Sequence, residues 1–459
     1  MKANQNISDF KNIYFVGIGG IGMSALARYF TVNGKNVAGY DKVASEITAA
    51  LEKQNIAIHY TDSIKEIPTL FLNKKETLVI YTPAIPNNHH ELQYFIKNNF
   101  NVLKRAEVLG LITNETFCFA VAGTHGKTTT STILGHILKE TGVNATSFLG
   151  GIATNYNSNL ILGNDKISVV EADEYDRSFL RLSPNYACIT SMDADHLDIY
   201  GQAEELVNSF KDFASIVKDK LFLLEELPLN GITYGFSEKA DYQAKNIRSI
   251  EGSYVFDVKT PSESVQDITL HLLGEHNVSN ALVALAMANE YGVNLQDIKK
   301  AIASFKGIER RFNIRINTKE LVLIDDYAHH PTEINAVYKT VATTYPDREK
   351  VVIFQPHLFS RTQDFADDFA NSLANFDRIY LLDIYPAREQ PIKGVTSKWL
   401  SGKIKEINPK VKVLAFSRKA ISHQIDSLNN AVVAMLGAGD IGVMIKKVVN
   451  ELTKNKVNY

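Results

Sequence analysis

The residues with the clearest chemical potential form a short glycine-rich stretch between two apolar runs, Gly123-Thr-His-Gly-Lys-Thr-Thr129. Glycines at a strand-to-helix junction let backbone N–H groups turn toward phosphate oxygens, and the helix N-terminus adds partial positive charge. Lys127 is long enough to reach β- and γ-phosphates, and a hydroxyl at Thr128 is a Mg²⁺ ligand in such loops. The spacing is shorter than in the standard loop, because Val121 stands where the first glycine would be. An incidental turn is the alternative, but the flanking strand and helix favour ATP, bound by Gly123, Thr124, His125, Gly126, Lys127, Thr128 and Thr129.

Two acidic clusters follow the next two predicted strands and supply candidate ligands for the cation that a triphosphate requires. The first reads Glu171-Ala-Asp-Glu174, and the second reads Asp193-Ala-Asp-His-Leu-Asp198. Each cluster alone would more often be a solvated loop. Both, however, follow strands of the unit that carries the glycine-rich loop, at the edge where open α/β sheets bind ligands. The sequence therefore predicts Thr128, Glu171 and His196 as ligands of Mg²⁺, or of Mn²⁺ in its place.

A second glycine pattern opens the chain, Gly17-x-Gly19-x-x-Gly22, with Asp41 at the end of the next predicted strand. This arrangement predicts a diphosphate on a helix N-terminus and an acid near a sugar or base. It suits a nucleotide-diphosphate sugar as well as it suits NAD. The same spacing recurs at Gly437-x-Gly439-x-x-Gly442. Two matches in one chain mean that the pattern alone does not identify a nucleotide site.

Four further polar clusters interrupt otherwise ordinary sequence. The stretch Glu275–Asn280 precedes a predicted helix, where an asparagine would serve equally well as an N-cap. The pair Arg310-Arg311 is equally compatible with solvated surface charge. The stretches Asp325–Pro331 and Pro356–Arg361 each follow a predicted strand, which is the placement expected of functional loops in α/β sheets.

The elements that position these residues alternate between strand and helix, which predicts parallel α/β layers. A chain of 459 residues is too long for one ordinary core, and the strand–helix rhythm restarts twice. We predict three domains. They are a Rossmann-like domain at 1–113, a P-loop ATPase-like domain with a mostly parallel sheet at 114–314, and a Rossmann-like α/β domain at 315–459. The helix after the central glycine-rich loop is expected from Thr130 to about Glu140.

Composition narrows the class of protein. Apolar residues make up 45% of the chain and charged residues 22%, and the formal net charge is −2, so no basic field favours nucleic acid or an anionic membrane. No apolar run is long enough to span a membrane, and the first residues lack a signal-peptide pattern, which predicts a cytoplasmic protein. Cys118 and Cys188 have no metal-site spacing and are predicted to be buried core residues.

Taken together, the motifs resemble those of the Mur ligases, ATP-dependent enzymes that form amide bonds in bacterial cell-wall precursors. The resemblance runs from Val16–Ser24 to Gly437–Gly442 and so covers nearly the whole chain. Within the family, the members that add L-alanine are the most similar. The most specific matches are Ala122–Thr129, Glu171–Asp176, Asp193–Asp198, Gly307–Phe312 and Asp325–Pro331.

The resemblance implies a role for each cluster. ATP would lie in the central domain, with Arg311 and Asp326 reaching it from the hinge of the third domain. His329 and Arg361 would lie near the incoming amino acid, and with Lys127 and His196 they form the expected catalytic set. The positions implied near the adenine are His276, Asn277 and Asn280. The positions implied near the UDP of UDP-N-acetylmuramate are Gly17, Gly19, Gly20, Ile21, Gly22, Asp41 and Thr82.

The implied reaction joins L-alanine to the lactyl carboxylate of UDP-N-acetylmuramate through an acyl phosphate and releases ADP and phosphate, as a step of peptidoglycan precursor synthesis. The expected partners are these small molecules, with no nucleic acid, and the expected state is a monomer or a weak homodimer. A recycling ligase that attaches a peptide, a nicotinamide-dependent oxidoreductase and a non-catalytic nucleotide-binding protein are the alternatives.

The sequence departs from the family pattern at two places. Leu358 replaces the first arginine of the family's Pro-His-Arg segment, so only Arg361 is carried over. The stretch Asn208-Ser-Phe210 stands where some sister ligases have a carbamylated lysine, so no such modification is predicted.

Overall fold

The computed structural model of the chain describes residues 6–193, 200, 202–250, 252–387, 389–415 and 421–457. The strands of these residues form three sheets of 5, 10 and 6 strands, and each sheet is built from a successive stretch of the chain. Helices connect the strands within each stretch. The predicted α/β class with three domains is therefore confirmed.

The first sheet is wholly parallel, with the strand order β3-β2-β1-β4-β5. Its strands are β1 (Asn12–Val16), β2 (Asn36–Tyr40), β3 (Ala57–His59), β4 (Thr77–Tyr81) and β5 (Asn101–Lys104). Its helices are α1 (Ile21–Val32), α2 (Glu46–Glu52), α3 (His90–Lys97) and α4 (Arg105–Asn114). The order reverses between β1 and β4, so the carboxyl ends of these two strands open the crevice in which such sheets bind ligands.

The central sheet has the order β15-β14-β13-β12-β11-β10-β6-β9-β7-β8, parallel in its middle and antiparallel at both ends. Because β9 and β10 flank β6, the loops after these three strands meet at one edge of the sheet. The strands are β6 (Phe117–Ala122), β7 (Ala145–Ala153), β8 (Ser158–Ile161), β9 (Asn164–Glu171), β10 (Tyr186–Ile189), β11 (Lys220–Leu224), β12 (Ile232–Gly235), β13 (Tyr242–Ile250), β14 (Ser253–Lys259) and β15 (Ser264–Leu270). The helices are α5 (Lys127–Glu140), α6 (Ala203–Ser215), α7 (Glu275–Glu290) and α8 (Leu295–Ser304).

The third sheet has the order β16-β17-β21-β18-β19-β20, in which only β16 runs antiparallel. The pairing of β17 with β21 brings Asp326 and Leu436 side by side, so the loops that follow both strands lie together. The strands are β16 (Asn313–Asn317), β17 (Leu321–Asp326), β18 (Glu349–Phe354), β19 (Arg378–Leu381), β20 (Lys412–Ala415) and β21 (Ala431–Leu436). The helices are α9 (Pro331–Thr344), α10 (Phe359–Asp364), α11 (Ala366–Leu373), α12 (Ser397–Ile407), α13 (Ile421–Asp426) and α14 (Ile441–Val457).

Apolar packing continues across both domain boundaries. One buried cluster includes Ile133 on α5 and Ile334 on α9, and so joins the central and third domains. Another includes Phe30 on α1 and Phe148 on β7, and so joins the first and central domains. Burial of such side chains is worth about 25 cal/mol per Å² of apolar surface removed from water. These contacts hold the three domains around the space between them.

The structure differs from the sequence prediction in several local features. The helix after the glycine-rich loop begins at Lys127 rather than Thr130, because the left-handed backbone of Gly126 (φ +84°) completes the turn and the chain enters the helix directly after it. The antiparallel strands at the sheet ends were not predicted. Cys118 and Cys188 are buried free thiols, as predicted. Within the residues described, no helix has the length and apolarity to span a bilayer.

Candidate active site

A cavity of about 1380 Å³ lies between the three domains. The first domain contributes the turn before α1, the central domain contributes the glycine-rich loop, and the third domain contributes residues around α9 and α14. Among the predicted site residues, those that line the cavity are Gly20, Ile21, Gly22, Thr82, Thr124, His125, Gly126, Lys127, Thr128, Glu171, Arg311 and His329.

The loop between β6 and α5 has the backbone of a phosphate-binding turn. Gly123 and Gly126 have φ values of +126° and +84°, which residues with a side chain rarely adopt. The N–H of His125 donates to Ser191 Oγ (2.9 Å), so Ser191 holds one side of the loop. Within the described part of the chain, the N–H groups of Gly126 and Thr128 have no acceptor. They are available at the N-terminus of α5, where the helix dipole favours an anion.

Lys127 is held by three acceptors. Its Nζ donates to the carbonyls of Gly123 (2.8 Å) and Thr124 (3.3 Å) and forms an ion pair with Glu174 Oε1 at 2.8 Å. Burial alone would lower the pKa of Lys127, but the nearby carboxylates, Glu174 first, raise it. The lysine therefore remains charged, and a triphosphate would compete with Glu174 for it. Sequence reasoning missed Glu174 as the partner of this lysine.

Two of the three predicted metal ligands are adjacent. Thr128 Oγ1 donates to Glu171 Oε1 at 3.1 Å, and Arg311 Nη2 lies 3.3 Å from the same hydroxyl. Burial raises the pKa of Glu171, and its Oε2 is buried without a hydrogen-bond partner among the described residues. The third ligand, His196, lies outside the described residues. Within those residues, no group of three or more His, Cys, Asp or Glu side chains is arranged to hold a metal ion.

The residues predicted near adenine lie behind the loop. Thr130 Oγ1 donates to Asn280 Oδ1 (3.2 Å), and Asn280 Nδ2 donates to Asn277 Oδ1 (3.3 Å). The N-cap of α7 is Gly274, so the alternative that an asparagine caps this helix is wrong. His276 is exposed on the first turn of α7. Neither this histidine nor the asparagines line the cavity in the part of the chain described.

The third domain brings Asp326 and His329 toward the loop. Asp326 accepts the N–H groups of Phe312 (2.6 Å) and Ala328 (2.7 Å), and burial raises its pKa to about 6. His329 lines the cavity with its Nδ1 3.2 Å from Glu333 Oε2. Arg361 is buried on α10 and, among the described residues, is not part of the cavity wall.

The first-domain glycine turn is partly open. The N–H groups of Ile21 and Gly22 have no acceptor within the described residues. Arg105, at the start of α4, lies against Gly22, because a Cβ built there would be 2.9 Å from Arg105 Nη1. Asp41 Oδ2 accepts the N–H of Gly19 (2.7 Å), so this acid shapes the turn from outside the cavity wall. At Gly17, which has φ +91°, an added Cβ would lie 3.0 Å from Thr82 Cγ2.

The third-domain turn with the same glycine spacing is filled by protein. Arg310 Nη2 donates to the carbonyl of Gly437, and the guanidinium occupies the space beside Gly442. The N–H of Ile441 donates to Gln355 Oε1 (3.0 Å). The repeat of the pattern is therefore a packing feature. Arg310 also lies 3.4 Å from Asp325, so the alternative of a solvated arginine pair is wrong for this residue.

Three residues at the site were not chosen as site residues from the sequence, namely Arg105, Glu174 and Glu333. Glu174 lies in an acidic cluster from which only Glu171 was chosen. Glu333 has a readable signal, because it is the third helical residue after His330 and completes a capping box. Arg105 has no sequence signal beyond its place after a strand, since its contact with Gly22 depends on the fold.

Comparison with known proteins identifies the family. Residues 12–116 match the model of the Mur ligase family, catalytic domain; residues 121–288 match the Mur ligase middle domain; and residues 310–439 match the Mur ligase, glutamate ligase domain. The UDP-N-acetylmuramate–L-alanine ligase of Christiangramia forsetii is 54% identical over 451 residues, which cover 98% of this chain and 99% of that protein.

Solved structures share the architecture. The UDP-N-acetylmuramate–alanine ligase of Thermotoga maritima has a TM-score of 0.82 and 29% identity, and the match covers 97% of this chain and 99% of that one. The MurF ligase of Thermotoga maritima in complex with ADP has the same fold at 17% identity, with a TM-score of 0.62 and coverage of 84% and 97%. The chain belongs to the Mur ligase family.

Proposed function

We propose that the chain uses ATP to join L-alanine to the lactyl carboxylate of UDP-N-acetylmuramate, with ADP and phosphate as the other products. One observation carries this proposal: a single cavity is bounded by the open glycine turn, the phosphate loop and His329. The glycine turn would bind the nucleotide sugar, the phosphate loop would bind ATP, and the side with His329 would bind the amino acid. The near full-length match to an alanine-adding relative supports the same substrates.

The first chemical step would move the γ-phosphoryl group of ATP to the carboxylate, because oxide is too poor a leaving group for direct attack by an amine. The phosphate of the resulting acyl phosphate then leaves when the amine of L-alanine attacks the carbonyl carbon. Bringing two anions together is the main obstacle. Lys127 and the N–H groups of Gly126 and Thr128, which have no acceptor in the part of the chain that the structure describes, supply opposing positive charge at fixed positions.

The residues around Thr128 fit a divalent cation. The orphaned Oε2 of Glu171 and the Thr128 hydroxyl are both hard oxygen ligands of the kind that Mg²⁺ prefers. We propose that Thr128 and Glu171 hold it, with His196 as the third ligand. A bound Mg²⁺ would neutralise charge on the phosphate oxygens.

The amine of alanine must lose a proton before or during its attack. His329 is our candidate for that base, because it lines the cavity on the third-domain side and carries no expected metal bond. We assign Arg361 to the alanine carboxylate. Since Arg361 lies outside the cavity wall, this role requires the third domain or α10 to shift when substrates bind.

One reaction series tests the proposal. The chain is incubated with ATP, Mg²⁺ and UDP-N-acetylmuramate, and L-alanine, glycine, L-serine and a cell-wall tripeptide are offered separately. Phosphate release and product mass are measured. We expect phosphate release with L-alanine and a product whose mass equals that of the two substrates less water. Turnover with the tripeptide alone would replace this proposal with a peptide-adding ligase.

A further inference from the structure

Glu333 contacts two sides of the cavity with its two oxygens. Its Oε2 accepts the N–H groups of His329 (2.8 Å) and His330 (3.2 Å) and lies 3.2 Å from His329 Nδ1. Its Oε1 lies 3.6 Å from Nδ1 of His125, which belongs to the phosphate loop of the central domain. One largely buried carboxylate of the third domain thus reaches both the loop and the proposed base.

The ring of His125 lies between two acids. Its Nε2 is 3.2 Å from Asp193 Oδ2, on the side away from Glu333, and its ring packs against that of His330 with centroids 4.9 Å apart. Burial alone would lower the pKa of His125, but Asp193 and Glu333 outweigh it and raise the value to about 9. In the same way, burial would raise the pKa of Glu333, but His329 and His125 hold it well below its usual range. Both groups are charged at neutral pH.

Helix capping explains only part of this arrangement. Glu333 is the third residue of α9 and completes a capping box with His330, and that role uses Oε2 alone. A glutamine would cap the helix equally well. The negative charge and the contact of Oε1 with His125 exceed what the cap requires, and they face the cavity that both residues line.

We propose that Glu333 is a positioning residue of the ligation reaction, which holds the phosphate loop through His125 and the amino-acid side of the cavity through His329. The inference rests on the proposed function. Because Glu333 lies on the third domain and His125 on the central one, the contact forms only when the two domains are docked. It makes the geometry of the loop depend on the position of His329, so that both reactants are aligned together.

Glu333→Gln is the most direct test, since it preserves the cap and removes the charge. We expect kcat to fall on the order of 10- to 100-fold, as for other losses of alignment. The KM for UDP-N-acetylmuramate and the melting temperature should stay close to those of the unmodified chain. Lys339→Met is the matched control, because Lys339 on the same helix also pairs with the central domain, through Glu275, and within the described residues neither side chain lines the cavity. Its kcat should be unchanged.

A titration of the histidine rings tests the contact without any substrate. In protein labelled with ¹⁵N-histidine, the resonances of His125 are identified by their loss in His125→Gln. We expect Glu333→Gln to lower the pKa of His125 by about one unit, because one of two neighbouring carboxylates is gone. If the unmodified chain ligates no alanine, the proposed function fails. The titration still tests the contact between Glu333 and His125.

Two results would overturn the inference. One is a kcat for Glu333→Gln within about twofold of the unmodified chain. The other is an unchanged pKa of His125. His125→Gln leaves the cap intact and tests the same link from the loop side, so the inference stays testable if Glu333→Gln does not fold. Because both changes break one contact, their combined loss in kcat should be smaller than the product of the single losses.

Discussion

The glycine turns before α1 and before α14 have the same spacing and opposite surroundings. Both turns border the cavity, but in the first domain the N–H groups of Ile21 and Gly22 have no acceptor among the described residues. In the third domain, the N–H of Ile441 is bonded to Gln355, and Arg310 lies against Gly442. At the first two positions of the following helix, the N–H groups of Ile441 and Gly442 are therefore both bonded, the latter to the carbonyl of Gly439, whereas those of Ile21 and Gly22 are open to a diphosphate within the described residues.

The difference shows which part of the pattern carries information. The spacing of glycines determines that the backbone turns tightly from a strand into a helix. Whether that turn binds an anion depends on side chains far away in the sequence, here Arg310 and Gln355 in one case and Arg105 in the other. An arginine that donates to a backbone carbonyl occupies the third-domain turn, whereas Arg105 borders an open one.

The phosphate loop before α5 is a third glycine turn, and like the turn before α1 it is open to the cavity. The largest loss of activity is expected there. Lys127→Ala removes the cation that opposes the negative charge of the phosphates during transfer. We expect kcat/KM for ATP to fall by the equivalent of about 3 kcal/mol or more, comparable with the loss of an oxyanion donor. Steady-state phosphate release with alanine and UDP-N-acetylmuramate measures it.

The control for Lys127→Ala is binding of UDP-N-acetylmuramate by calorimetry, which should be unchanged because that site is assigned to the first domain. The variant also leaves Glu174 without its lysine, so the melting temperature must be recorded. Turnover close to that of the unmodified chain would contradict the assignment of the loop.

Gly442→Ala and Gly22→Ala test the comparison directly, since each replaces the second residue of its helix. An alanine at position 442 would overlap the guanidinium of Arg310, which cannot move without losing its bonds to Gly437 and Asp325. We expect a loss of about 1 to 3 kcal/mol in the free energy of unfolding, the usual cost of overpacking. Chemical denaturation measures it, and the KM for the nucleotide sugar should stay the same.

Gly22→Ala should have the reverse pattern. Its Cβ would meet only the flexible end of Arg105, so stability should change little. The displaced arginine and the narrowed turn should raise the KM for UDP-N-acetylmuramate about tenfold, the equivalent of one charge-assisted hydrogen bond. If Gly22→Ala lowered the free energy of unfolding and left the KM for UDP-N-acetylmuramate unchanged, as expected for Gly442→Ala, the first turn would not be the binding site for the diphosphate.

Local sequence patterns predicted the elements well where burial is continuous. Strands such as Phe117–Ala122 and Ala431–Leu436 can be recognised from the sequence, because a strand covered on both faces has an uninterrupted apolar run. In the outer strands β13 and β15 of the central sheet, buried and exposed positions are mixed, so these strands were not recognised.

The candidate site was only partly predictable for a physical reason. Residues that follow buried strands, such as Lys127 and His329, could be found because topology alone brings strand ends together. The partners of those residues could not. Glu174 competes for Lys127, and Glu333 joins His125 to His329, through distances that depend on how the domains dock.

The pH dependence of stability can be tested at Asp326, which ends β17 beside the glycine turn of the third domain. Its folded pKa of about 6 is raised above the ordinary 3.8 by burial. The folded chain therefore binds more protons than the unfolded chain between these values. The contribution of this group to stability is largest below about pH 4 and is lost as the pH rises through 6.

Asp326→Asn should remove that contribution to the pH dependence. Between about pH 4 and pH 6, the free energy of unfolding of the unmodified chain should fall more steeply than that of the variant, by up to about 1.4 kcal/mol per pH unit. Urea denaturation at several pH values measures both slopes. Equal slopes would mean that Asp326 titrates at an ordinary pKa in the folded chain.

The smallest effect is expected where the two compared regions touch. Lys446, in the first turns of α14, forms an ion pair with Glu46 at the start of α2, and their side chains are 43% and 75% exposed. Water and salt screen such a pair, so Lys446→Met should cost less than about 0.5 kcal/mol in the free energy of unfolding, and less again at high salt. Both residues line the cavity.

A small change in the free energy of unfolding would mean that apolar packing through the central domain, rather than this ion pair, holds the first and third domains in place. A loss above about 1 kcal/mol, beyond the usual range for exposed pairs, would assign that role to the ion pair instead.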